Sequence, residues 1–204
     1  MEDGTRWEPT QALTADANDR PVRRKGANDR HLPLAICVGL LAIFGPVSDL
    51  RAQTLTPTDR VRSTDSALAT LIDQATGRSE TFRRLVATIL ASRGIVYVEP
   101  GSCGHRLRAC LKIWMHVSAG TRFLRIVIHR STSDTDVQIM AAIGHELQHA
   151  IEVLNAPSVK DGVTMFNFLK RTAPTDGTRF ETTAAINVGN AVYDELRREA
   201  RLGR

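Results

Sequence analysis

The sequence predicts an α+β fold, in which a small antiparallel sheet is flanked by helices and one long helix carries a chemical motif. Three observations predict it. Apolar residues first fall at helical spacing in two consecutive stretches. Three β-rich runs follow, the last two joined by the short connection Ser118-Ala119-Gly120, and after them the helical period returns through the rest of the chain.

In chain order, 54–62 reads as a polar link. Leu68, Leu71 and Ile72 mark a helix over 66–76. Phe82, Leu85, Val86, Ile89 and Leu90 mark a second over 80–92, with Ser79 as N-cap and Gly94 as stop. Strands are expected at 95–99, 107–117 and 121–129; in the last, Phe123, Arg125, Val127 and His129 alternate with Leu124, Ile126 and Ile128. A helix starts at Ser133, with Asp136 three residues on as a capping-box partner, and runs to Leu154 before Asn155-Ala156-Pro157 ends it. A short helix fits 162–171 and a last one 180–201, the latter opened by Glu181.

The chain has 204 residues, 42% hydrophobic and 5% aromatic, so its core should rest on Leu, Ile, Val and Ala. The formal charge of +5 falls in the part after residue 53. Its arginines are scattered apart from Arg197, Arg198, Arg201 and Arg204, which read as a solvated helix end complementing the helix dipole, so no nucleic-acid partner is expected. Residues 32–47 form the one sustained apolar run, too short for a comfortable membrane span of ~20 residues. Arg23-Arg24-Lys25 precede it and small and polar residues follow. That order is the order of a secretory signal peptide. The expected organisation is therefore a leader over 1–53 and a single domain over 54–204, exported to the periplasm or medium, with a membrane anchor as the alternative if the leader stays. In an oxidising space, Cys103 and Cys110 should pair as a disulfide.

The chemistry lies in Gly144-His145-Glu146-Leu147-Gln148-His149-Ala150. On a helix, His149 stands about 40° from His145 and one turn along, so both imidazoles can face one ion. Glu146 falls about 100° away, beside the metal face, where a carboxylate can activate water without binding the ion. Ile143, Leu147, Ala150 and Leu154 take the opposite, buried face. A catalytic zinc needs three protein ligands and one open position. Two carboxylates compete to be the third. Glu181 lies far enough beyond His149 for a helix and loop to return the chain, and Ala184 and Ala185 would let its helix come close. Glu152 shares the metal face, but ligands at 145, 149 and 152 would stretch along about 10 Å of one straight helix. Glu181 is the expected ligand, and Glu152 the partner that orients His149 or the alternative ligand.

A sheet, an HExxH helix and then a Glu on a later helix resemble the zincin metallopeptidases, specifically the gluzincin branch, over roughly residues 95–200. The resemblance implies zinc on His145, His149 and Glu181, with Glu146 activating water to hydrolyse a peptide or protein substrate. It also implies a substrate laid along an edge strand, expected at 121–129. The alternatives are a non-catalytic binding domain of the same fold and a zinc hydrolase acting on a non-peptide or cell-wall amide bond.

Overall fold

A computed structural model describes residues 60–104, 107–173 and 180–202; the leader over 1–53 and His105 lie outside them. The described residues form five helices and a four-stranded mixed sheet, an α+β arrangement. The elements are β1 (Val61–Arg62), α1 (Ser66–Arg78), α2 (Glu80–Ala91), β2 (Gly94–Pro100), β3 (Ala109–Ser118), β4 (Thr121–Ile128), α3 (Asp136–Leu154), α4 (Gly162–Thr172) and α5 (Thr183–Leu202). No helix among the described residues is long and apolar enough to cross a membrane.

The sheet differs from the antiparallel one expected. Its order is β1-β2-β4-β3; β1–β2 and β2–β4 pair parallel, and only the β3–β4 hairpin is antiparallel. Local pattern fixes strands but not their order. The chain leaves β2, passes outside β4's position to lay down β3, and turns back into the slot between them. That moves the edge. The 121–129 run is an interior strand, β4, and β3 is the edge beside α3. The hairpin turns through Ala119 (φ 48°) and Gly120 (φ 75°), the two left-handed residues of a primed turn whose twist matches the strands. Val61–Arg62, read as link, adds a short parallel strand instead.

Each helix begins where a side chain caps it. Asp65 accepts the Leu68 N–H, and Ser79 accepts the Phe82 N–H as expected. In α3 the capping box is Thr135 with Gln138, two residues later than the Ser133 start expected. Asp136 pairs with Arg130 at 2.5 Å instead. Gly94 opens β2 rather than stopping α2; a Cβ there would run into the Leu154 methyls, so glycine lets the strand pass the end of α3.

Val96, Val98, Leu111, Leu124 and Ile126 bury the inner sheet face under the helices. Phe123 and Arg125 stay on the outer face, where Arg125 pairs with Glu99 at 2.6 Å. Val127 is outward yet buried, because Cys103, Leu107 and Cys110 fold over it. Cys103 and Cys110 are bonded, with Cα atoms 5.8 Å apart.

Two polar contacts tie distant elements together. The Arg122 guanidinium donates to the carbonyls of Val153, Leu154, Ala156 and Val159, closing the C-terminal end of α3 from β4. Glu195, from α5, accepts from Ser79 Oγ at 2.6 Å and from Thr81 N and Oγ at 3.0 and 2.7 Å, at the start of α2. Burial pushes the Glu195 pKa up, but these hydrogen bonds outweigh it and the carboxyl titrates below its ordinary 4.5. A pKa lowered in the folded state stabilises above the ordinary carboxylate range, and that stability is lost as pH falls through it. Glu195→Gln should therefore lower the denaturation midpoint at neutral pH and flatten its acid limb. Midpoints that fall in parallel with wild type from pH 7 to 3 would show the contact to be neutral.

Candidate metal centre

α3 is buried along nearly its whole length, between the sheet and the helices α1, α2 and α5. Gly144 makes the closest approach possible. Even an added Cβ there would lie 3.1 Å from Val192 Cγ2 of α5, and a larger side chain would force the two helices apart. On the α5 side, Ala185 is fully buried, whereas Ala184, expected to share the contact, is exposed.

This packing brings His145, His149 and Glu181 together, one ligand atom from each lying within 4.8 Å of the others. The imidazole centroids are 4.9 Å apart at 78°, and His145 Nε2 lies 3.1 Å from Glu181 Oε2. Glu181 arrives differently from expectation. It is not the first turn of the last helix but lies two residues ahead of α5, in a segment fixed at both sides. The neighbouring Phe180 ring packs edge-on against Phe166 of α4, centroids 5.5 Å apart. After it, the Thr182 hydroxyl accepts the Ala185 N–H and caps α5.

Glu152 does what an orienting partner does. Its Oε2 is 3.1 Å from His149 Nδ1, which turns the other ring nitrogen toward the centre. Its Oε1 accepts from Thr182 Oγ1 at 2.7 Å and Gln148 Nε2 at 3.4 Å. Burial raises its pKa, but these donors prevail and hold the carboxyl below its ordinary value, so it stays ionised. Glu152→Gln keeps the shape and removes the charge. Metal affinity should fall about 10–100-fold, measured by chelator competition. Unaltered affinity would show that His149 needs no such partner.

Glu146 lies beside the three. Its Oε2 accepts the backbone N–H of Leu111, on edge strand β3, at 2.7 Å. Burial pushes its pKa up; His145 and His149 oppose that shift and Glu181 adds to it, leaving a carboxyl that holds its proton more readily than an exposed one. For His145, burial disfavours the charged ring, but Glu181, Glu146 and the Ala185 backbone more than offset it and the pKa rises.

These residues could hold a metal ion. Both Glu181 oxygens are buried, and Oε2 faces His145 Nε2 at 3.1 Å. Such a carboxylate beside two imidazoles suits a cation. Bonds of ~2.1 Å to one tetrahedral ion would place the ligand atoms ~3.4 Å apart, a modest contraction from the present spacing.

Sequence reasoning missed Leu111 and Thr182. A backbone amide such as that of Leu111 leaves no trace in residue type. Thr182, next to Glu181, could have been found as the cap of the last helix. His116 stacks on Trp114 and packs at a tilt against Phe123 on the outer sheet face, and His129 is exposed just past the end of β4; neither joins the centre. Comparisons with protein-family models, with curated proteins and with solved structures each returned no match.

Proposed function

We propose that the protein is a zinc-dependent peptidase of zincin type, in which His145, His149 and Glu181 hold zinc and Glu146 is the catalytic base. The observation that carries this reading is the position of Glu146. It is buried against the ligand cluster with its carboxylate aimed by the Leu111 N–H, and a site built only to bind metal has no use for it. Two imidazoles and one carboxylate form a donor set that suits zinc and leaves a coordination position open. When bound, the ion would polarise the scissile carbonyl and acidify water. Glu146 takes the proton of the attacking water and passes it to the departing amine, a role suited by a carboxyl whose pKa burial raises. Leu111 fixes one Glu146 oxygen and leaves the other for that transfer. Glu152 holds His149 in the required tautomer.

The edge position of β3 supports a peptide substrate, since an extended chain can pair with an edge strand. The test is digestion of a mixed peptide library by the zinc-loaded full chain beside Glu146→Gln. New termini with wild type alone support the reading; equal cleavage by both would remove Glu146 from the reaction. A second reading, a non-catalytic metal-binding domain, is favoured by the closure of the site, with His145 and Glu146 each 3% exposed and His149 1%. Full zinc occupancy without cleavage of any library would establish it. Export is part of the proposal and rests on the apolar run at 32–47. Sequencing of the mature N-terminus checks it, and an intact residue 1 in extracytoplasmic protein would replace the cleaved leader with an anchor.

A further inference from the structure

A cavity of about 410 Å³ opens against Glu152, lined also by Asn155, Ala156, Phe168, Thr172 and Thr182. It is of ligand size. It adjoins the metal centre through Glu152, which lies 3.1 Å from His149 Nδ1 and whose side chain is 18% exposed, against 1% for His149. From the geometry we infer that this cavity is a subsite for a lysine or arginine side chain of the substrate, its aliphatic stem on Phe168 and Ala156 and its charged end at Glu152. The inference rests on the peptidase reading and deepens it, naming the substrate class as peptides with a basic residue close to the scissile bond.

Two features converge on a cation with an apolar stem. Among the described lining residues the one charged group is the Glu152 carboxylate, with no cation beside it in that lining. A carboxylate offers about four lone-pair sites. Three are used, by His149, Thr182 and Gln148, so one more donor can be taken without breaking those bonds. The helix ends add no free negative charge: Arg122 takes the carbonyls that end α3, and the last turn of α4 carries Lys170 and Arg171. The N-terminus of α5 is occupied by the Thr182 hydroxyl, which takes the Ala185 N–H while donating to Glu152. Second, Phe168 and Ala156 give an apolar wall for methylenes, which lysine and arginine bury while keeping their heads polar. An acidic side chain would meet like charge, and a purely apolar one would leave the fourth Glu152 site unfilled.

The test uses the full chain carrying Glu146→Gln, loaded with zinc, and three probes: the Nα-acetyl methylamides of lysine, norleucine and glutamate. Calorimetric titration should show lysine binding about tenfold or more tighter than norleucine, the worth of one charge-assisted hydrogen bond, and glutamate weakest. Thr172 is exposed at the helix end, so Thr172→Lys should fold and place a competing cation at the cavity. It should erase the lysine preference, while Thr172→Gln keeps it. Norleucine binding as well as lysine, a preference that survives Thr172→Lys, or no binding of any probe would each overturn the subsite. Failure of the peptidase reading looks different. Lysine binding in a protein that neither retains zinc nor cleaves peptides would leave the cation subsite and remove the peptidase, whereas cleavage with no basic preference would do the reverse.

Discussion

Zinc content should fall from about one ion per chain to none in either His145→Ala or His149→Ala, because two remaining ligands cannot hold the ion against a competing chelator. The two imidazoles are the least exposed members of the cluster, so neither can be replaced by a neighbouring side chain without repacking α3. Alanine leaves a small void in each case, and stability measured without metal should fall modestly. The decisive readout is therefore the difference between zinc and no zinc. An ion that binds only the folded state stabilises by mass action. Wild-type protein should melt markedly higher with zinc than with chelator, and both variants should lose that difference. A double variant that still copurifies with zinc would place the metal elsewhere and end the motif reading.

Glu146→Gln should separate binding from chemistry. The amide is isosteric, its oxygen can still accept the Leu111 N–H, and the buried carboxylate's desolvation cost is removed. The fold and the three ligands should be untouched, so zinc occupancy and the zinc-dependent rise in melting temperature should match wild type. Hydrolysis should drop by about 10²–10⁴-fold, the usual contribution of a positioned acid–base group, with the effect in kcat. Lost zinc would mean that Glu146 ligates; retained cleavage would mean that it does nothing in the reaction.

The contrast between these residues and the sheet shows what was legible before the structure. His145, Glu146 and His149 could be read because a helix's geometry is local: spacing alone sets their directions. Glu181 could be read from chain return and ligand number, but not its place outside the helix, since the consecutive threonines 182 and 183 both suit a cap. Thr135 was legible in principle, because Thr135-Asp136-Val137-Gln138 is a capping-box pattern, but Ser133-Asp134-Thr135-Asp136 resembles one too. Strand order was not legible. The clear alternation in 121–128 describes a strand with one solvated face, and both edge and interior strands have that. The contacts of Arg122 and Glu195 span more than thirty and a hundred residues respectively, beyond any local pattern.

The site also carries a consequence for timing during synthesis. Its parts come from β3, α3 and the segment before α5, and α3 is flanked by α1 and α2 on one side and by α5, the last helix, on another. A chain emerging from the ribosome thus presents its HExxH segment well before Glu181, and Val192 closes on Gly144 only when α5 has followed. Until then α3 has a bare apolar flank and two of its three ligands. The candidate metal site is thereby left incomplete until α5 has been made. If α3 depends on α5 in this way, their amides should exchange hydrogen together, in one opening reaction equal to global unfolding. Faster exchange in α5 alone would show that the centre can be half dismantled while its histidines stay in place.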